Sequence, residues 1–224
     1  MSAIPRNKYP EETVKKILDA SAKLFLEKGF EQTTILDIVD NLGGLTRGAF
    51  YHHFKSKEEV LEAVVENMFG ENDPVERVMR NDKGLDGLNK VKMIMKYSME
   101  RQFSDKKRTT LSNAYLSLLS NPRFLAEQVK STQEVSRAIE PMIAEGMADG
   151  SIKPGNPRIL AEIYMLLINI WLLPTIYPCD EKEAWVKVMT IKQVLDGMGF
   201  PIIDDEVLAG FGYVIGKLEY EPAP

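Results

Sequence analysis

The sequence predicts an all-α protein, and three observations carry that prediction. Apolar residues recur at three- and four-residue steps through most of the 224 residues. Glycine, proline and Asn, Asp, Ser or Thr caps punctuate those runs. No alternating apolar and polar stretch is long enough to be read as a strand.

The first 70 residues divide into four short helices. From Glu11 to Lys28 the apolar positions Val14, Ile17, Leu18, Ala22, Leu24 and Phe25 keep mostly to one face, and Gly29 supplies a stop. Thr34 to Asp37 resembles a capping box with Asp in the Glu position, opening a second helix whose stripe is Ile35, Ile38, Val39 and Leu42. That helix stops at Gly43-Gly44. Thr46 is a suitable N-cap for a third helix through about His53, with Phe50 and Phe54 on one face. Ser56 to Glu59 is a full S-x-x-E capping box, opening a fourth helix with Val60, Leu61, Val64, Val65 and Met68 inward and Gly70 near its end.

Beyond residue 70 the composition changes: apart from Met1, every methionine and both tryptophans lie after residue 60. Helices are expected over 86–103, 105–120, 122–149, 157–173, 181–197 and 204–217. Asn121-Pro122 and Asn156-Pro157 act as cap and first helical residue, and Pro141 should bend or divide the third of these. The expected domains are 1–56, a helix-turn-helix unit with helix 57–70 as its connection, and 71–224, a larger helical domain. Together they make about nine to ten helices.

Composition narrows the setting. Hydrophobic residues at 44% and charged residues at 27% are ordinary for a globular protein. One cysteine, Cys179, cannot form an intrachain disulfide, and no signal segment opens the chain, so the cytoplasm is the expected location. The most apolar run, Ile163 to Leu173, falls short of the roughly 20 residues a membrane span needs. No membrane partner is expected.

The net charge is −5, yet residues 41 to 57 hold Arg47, Lys55 and Lys57 among a single acid-free stretch after Asp40. The only two histidines, His52 and His53, stand there side by side. A zinc site takes three or four ligands, and adjacent helical residues point about 100° apart, so the pair suits one ion poorly. A catalytic histidine needs an orienting carboxylate and a pocket, which nothing nearby offers. A merely solvated polar face is the plain alternative. The reading that uses the whole stretch is a helix-turn-helix whose second helix enters the major groove of DNA. Arg47, Gly48, Tyr51 and His52 then fan across roughly 140° opposite Phe50 and Phe54. Arg47 in the first turn suits guanine, and Gly48 and Ala49 let the backbone approach base edges. Tyr51, His52, His53, Lys55, Lys57 and the amides opening the second and fourth helices are suited to phosphates.

These residues carry a resemblance. Thr33 to Val64, with the preceding "LFLEKGFEQTT", resembles the N-terminal domain of the TetR family of transcriptional repressors over about residues 11 to 70. The resemblance implies an all-α regulator: a helix-turn-helix DNA-binding domain joined to a helical domain that dimerises and senses a small molecule, with helix four as the connection. Carried over by position, Arg47, Gly48 and Ala49 match base-reading residues, and Thr34, Thr46, Tyr51, His52, His53 and Lys57 match backbone-contacting ones. Thr33 and Lys55 complete the expected DNA-contact set. The turn holds Gly43-Gly44 where the family commonly has one glycine, which places a tilt between helices two and three in question.

In the remainder, helices 157–173 and 181–197 are apolar on broad faces, and two from each subunit would make a four-helix bundle. Leu166, Ile170, Trp185 and Val188 are the expected dimer contacts. The plain alternative is that both helices are interior to a monomer. Met93, Tyr97, Met99, Phe103, Tyr115, Met142 and Met165 are candidates to line a pocket for a small apolar or amphipathic effector, although methionine at helical spacing is more often ordinary core. The expected partners are a palindromic double-stranded operator, a second copy of the chain and that effector. No metal or other cofactor is expected. A helical protein-binding adaptor and, less well matched, a helical enzyme are the rival classes.

Overall fold

The computed structural model describes residues 11–44, 46–70, 73–81 and 84–216, and all regular structure among them is helical. The chain forms two compact units: residues 1–71 with 110–115, and residues 72–109 with 116–224.

In the first unit, α1 (Glu11–Lys28) packs on α2 (Ile35–Asp40) and α4 (Lys57–Gly70), and α2 packs on α3 (Arg47–His53). Most of the apolar stripe read from the sequence is buried; Val14, Ala22, Ile35 and Leu42 are half-buried, and the Met68 side chain lies outside the described residues. Ile17, Phe25, Ile38, Phe50, Val60 and Leu61 are shut away from solvent, and the Phe25 and Phe30 rings meet edge to face at 5.3 Å. Burying an aliphatic or aromatic side chain of this kind is worth about 1.5–3 kcal/mol, so a short α3 is held by its one buried residue, Phe50, more than by propensity.

The second unit contains α5 (Pro74–Asn81), α6 (Gly87–Phe103), α8 (Pro122–Asp149), α9 (Pro157–Leu166), α10 (Glu181–Gly197) and α11 (Asp205–Ile215). Between α6 and α8, α7 (Lys106–Ser117) ends in a 3₁₀ turn, Leu118–Ser120, where one helix over 105–120 was expected. Similarly, the expected 157–173 helix is α9 followed by a π-helical turn, Leu167–Trp171. The sequence reading did not include α5. Pro141 does not divide α8: the proline and Arg137, whose carbonyl loses its helical partner, are both exposed, so the missing bond falls on the solvent side.

The core of this unit joins Val91, Ile94 and Met95 of α6 to Ile139, Met142 and Ile143 of α8, Leu160 and Tyr164 of α9, and Val188, Ile191 and Leu195 of α10. Where α6 crosses α8, backbone meets backbone. A Cβ on Gly87 would stand 2.5 Å from Gly146 Cα and closer still to Gly146 N and Met142 O. The same crossing is tied by Gly87 N–H donating to Asp149 Oδ2 at 2.9 Å and Leu88 N–H donating to Ser151 Oγ at 3.2 Å.

Candidate nucleic-acid interface

Two caps and a glycine turn build the helix-turn-helix. Thr34 caps α2: its Oγ1 accepts from Asp37 N–H at 3.1 Å, while Asp37 Oδ2 accepts from Thr34 N–H at 2.8 Å. Lys28 donates to the other oxygen, Oδ1, at 2.7 Å. The Lys28 bond first, then the Thr34 amide and hydroxyl, hold the Asp37 carboxyl down to about 2. The chain then turns through Gly43 at φ +54° and Gly44 at φ +123°, a combination that a side chain at Gly44 would strain. Leu45 lies outside the described residues. Thr46 caps α3 by accepting from Ala49 N–H at 3.1 Å.

On α3, Phe50 is fully buried and fixes the helix against its own domain, packing on Phe54 at 6.1 Å and on the edge of Tyr51 at 5.7 Å. Thr46, Arg47, Gly48, Tyr51 and His52 are exposed, Ala49 and His53 are half-buried, and exposed Lys55 follows the helix. The Arg47 guanidinium lies 5.7 Å from the Tyr51 ring, within the range of a cation–π contact. Burial first, and then the neighbouring His52, push the His53 ring below its ordinary 6.5. Among the described residues no group of three or more His, Cys, Asp or Glu could hold a metal ion.

Two expected contact residues stand apart from this face. Thr33 is 1% exposed, and its hydroxyl is spent on the carbonyls of Gly29 at 2.8 Å and Leu24 at 3.4 Å, closing the end of α1. Lys57 folds back to donate to Phe30 O at 3.0 Å and Glu31 O at 3.1 Å, with its ammonium 4.4 Å from the Phe30 ring centroid. The helix starts are also more occupied than expected. Asp37 brings a carboxylate to the start of α2. At α4, Ser56 Oγ accepts from Glu59 N–H at 3.3 Å and Glu59 Oε2 accepts from Lys55 N–H at 2.7 Å. Negative side chains at both starts disfavour phosphate there.

Most of the residues expected to line an effector pocket lie in or against one packed core. Phe103, Met142 and Met165 are buried core, Met93, Tyr97 and Met99 pack partly buried against it, and Tyr115 belongs to the first unit. Of the seven, Met99 lines a cleft of about 360 Å³ between α6 and α11. Its other walls include Lys96, Glu100, Glu206 and Tyr213, which the sequence reading did not select. Lys96 and Glu206 form an ion pair there, and Tyr213 donates to Phe103 O at 2.7 Å. Their separation of about a hundred residues left no local signal. The expected dimer residues also separate. Leu166 is half exposed and Ile170 half-buried, but Val188 is fully buried in its own unit and Trp185 packs towards Gly212 of α11. The apolar residues that α9 and α10 leave exposed are Ile159, Leu166, Val186, Met189 and Val194.

With this geometry in place, residues 17–64 match the family model described as bacterial regulatory proteins, tetR family. That stretch is similar to the N-terminal DNA-binding domain of this family. The chain is 32% identical over 85 residues to the probable HTH-type transcriptional regulator ArpR of Pseudomonas putida, covering 38% of this chain and 40% of ArpR. This chain therefore spans less than half the length of that relative. A transcriptional regulator from Cytophaga hutchinsonii superposes with a TM-score of 0.61 at 21% identity, over 84% of this chain and 97% of that one. The SmeT–triclosan complex aligns at 26% identity with a TM-score of 0.54, over 89% and 91% of the two chains. SmeT is the repressor of a multidrug efflux pump of Stenotrophomonas maltophilia. The all-helical likeness to these solved structures runs over most of the chain, and the match to the family model lies in the first unit. Among the described residues no helix is long and apolar enough to cross a membrane.

Proposed function

We propose that the protein is a transcriptional regulator, not an enzyme, whose TetR-family domain binds double-stranded DNA by laying α3 in the major groove. The observation that carries this reading is the exposed face Thr46, Arg47, Gly48, Tyr51 and His52, held on a helix whose single buried residue locks it to its domain. Arg47 reads a base edge, with Gly48 and Ala49 allowing close approach, and Thr46, Tyr51, His52, His53 and Lys55 meet phosphates; Thr34 leaves the contact set because its amide and hydroxyl both donate to Asp37 Oδ2. Thr33 leaves the contact set because its hydroxyl is consumed internally.

The protein works as a cytoplasmic homodimer on a palindromic operator, with half-sites about 34–36 Å apart. The exposed apolar residues Ile159 and Leu166 of α9 and Val186 and Met189 of α10 meet those of a second copy, in place of Val188 and Trp185. It represses, and a small apolar or amphipathic effector releases it. The α6–α11 cleft, with Met99 and Val207 beside charged Lys96, Glu100 and Glu206, is the seat this chain offers such a molecule. No metal or cofactor enters. By linkage, the effector weakens DNA binding by the same factor as DNA weakens the effector.

Selection of bound duplexes from a random pool tests the reading. A recovered palindrome, bound with an affinity that falls steeply with salt, is the expected result. Failure to enrich any duplex from protein freed of small molecules by dialysis would overturn it.

A further inference from the structure

The cleft between α6 and α11 has walls of unequal chemistry. Its apolar side is Met99, Val207, Gly210 and the Tyr213 ring, and a Cβ at Gly210 would stand 2.9 Å from Met99 Sδ, so the glycine keeps this side open. Its polar side is Lys96, Glu100, Ser104 and Glu206. The volume of about 360 Å³ lies near the small end of the roughly 300–1,000 Å³ typical of ligand pockets, so the cleft suits a small molecule.

Donors and acceptors are unevenly spent there. The Lys96 ammonium, 23% exposed, is drawn onto the Glu206 carboxylate. An anion entering the cleft would have to displace Glu206, and it would meet the Glu100 charge besides. Glu100 is freer. Its nearest cation, the Arg77 guanidinium, lies over the Tyr97 ring at 3.5 Å and stands 3.9 Å from Glu100 Oε2, beyond hydrogen-bond reach. Between side chains exposed at 45% and 67%, that attraction is weak.

The helix ends agree in sign. Glu100 and Ser104 stand on the last turn of α6, the negative end of its dipole, where Arg108 Nη1 and Tyr213 Oη already donate to the Arg101 and Phe103 carbonyls at 3.0 and 2.7 Å. The positive end at the cleft, the start of α11, is answered from within by Asp204, whose Oδ1 accepts from Val207 N–H at 3.0 Å. The cleft thus offers open acceptors to a cation, and to an anion only a lysine that is already paired.

We propose that the α6–α11 cleft binds a small amphipathic amine: its protonated nitrogen donates to the Glu100 carboxylate, and its apolar body lies on Met99, Val207 and Tyr213. This gives a chemical class to the effector of the regulatory reading above, on which it rests for its consequence and not for its chemistry.

Full-length protein carrying carbon-13 in its methionine methyl groups tests the proposal, with the Met99 signal identified by Met99→Leu. Phenethylamine, phenethyl alcohol and phenylpropionate share one apolar body and differ in charge. Each is titrated into DNA-free protein to millimolar concentration, and the Met99 methyl reports occupancy. The amine should bind best, the alcohol about tenfold more weakly, as loss of a charge-assisted bond implies, and the acid most weakly. Glu100→Gln should bring the amine down to the level of the alcohol, and Glu100→Lys should make the acid the tightest of the three. Both changes fall on an exposed side chain, so the fold is retained. Glu12→Lys, the same change in net charge on an exposed side chain of the first unit, should leave the order as it is. The proposal is overturned if no compound moves the Met99 signal, if the alcohol or the acid binds as tightly as the amine, or if Glu100→Gln leaves amine binding unchanged. Operator binding is measured separately. If phenethylamine fills the cleft yet leaves operator affinity unaltered, or if the wild type binds no DNA, the regulatory reading fails and the amine site stands.

Discussion

Replacing Gly87 by alanine tests the crossing on which the second unit is built. The added methyl carbon would stand 2.5 Å from Gly146 Cα, where ordinary contact begins at 3.4 Å, so α6 and α8 must part by about 0.9 Å or more. No flexible side chain can give way, because the obstructing atoms are backbone atoms of α8. Overpacking costs about 1–3 kcal/mol, and weakening the Gly87–Asp149 and Leu88–Ser151 bonds adds roughly 1–2 kcal/mol, for a total of about 3–5 kcal/mol. For a chain of this size that corresponds to a fall in melting temperature of about 10 °C or more. Both tryptophans, Trp171 and Trp185, lie in the second unit, so thermal unfolding followed by indole fluorescence reports that unit alone. Gly197→Ala is the matched control. It sits at the end of α10 with nothing within 4 Å of an added Cβ, and should gain about 0.5–1 kcal/mol from helix propensity. If Gly87→Ala melts within about 2 °C of the wild type, the two helices do not approach as described, and the packing argument is wrong.

Three further outcomes are expected. Arg47→Ala should cost about 1–3 kcal/mol on the selected operator and relax preference at one base pair per half-site; equal losses on scrambled duplex would remove its base-reading role. Val186→Glu should convert a species of about twice 25.3 kDa into monomers in sedimentation while leaving the subunit folded, whereas Val188→Glu, buried at 0% exposure, should unfold the unit. A Val186→Glu dimer would place the interface elsewhere. Asp37, held at about 2 against an ordinary 3.8, contributes stability that is full above its unfolded value and is lost as pH falls from about 4 towards 2. Acid titration of Asp37→Asn should therefore show a shallower loss over that range, and an unchanged profile would show that the Lys28 and Thr34 contacts do not stabilise the fold.

Local chemistry was legible in the sequence wherever a few adjacent residues decide the outcome. Asn121-Pro122 and the Asp149-Gly150 end fixed α8, and the Thr34 and Thr46 caps fixed α2 and α3, because caps act within one turn. The Asp73-Pro74 start of α5 was of the same kind: Asp73 Oδ1 accepts from Val75 and Glu76 N–H at 2.7 and 3.1 Å, a signal present but passed over. Facing was not legible. α10 has apolar residues at 184, 185, 186, 188 and 189, nearly all round, and only packing selects Ala184, Val188, Ile191 and Leu195 as its buried side, with Trp185 half-buried against Gly212 of α11. Of the candidate site, the exposed residues of α3 followed from period alone. The fates of Thr33 and Lys57 did not, because they are settled by carbonyls of the α1 end and the turn that follows it, whose positions depend on the packed domain.

The π-helical turn at Leu167–Trp171 sets how the chain tolerates changes in its own length. There the Leu172 N–H reaches Leu167 O at 3.1 Å, a step of five residues in place of four, so the segment holds one residue more than a regular helix needs. None of its five residues is fully buried. Deleting one of them would restore an ordinary turn while Tyr164 before it and the loop to Cys179 after it keep their orientations. The same deletion beside Ile139 in α8 would rotate everything downstream by about 100° and carry Met142 and Ile143 out of the core. In inheritance, a lost codon would be nearly silent at one place and ruinous a few turns away. Shortened descendants of this chain should therefore carry their gap between residues 167 and 171.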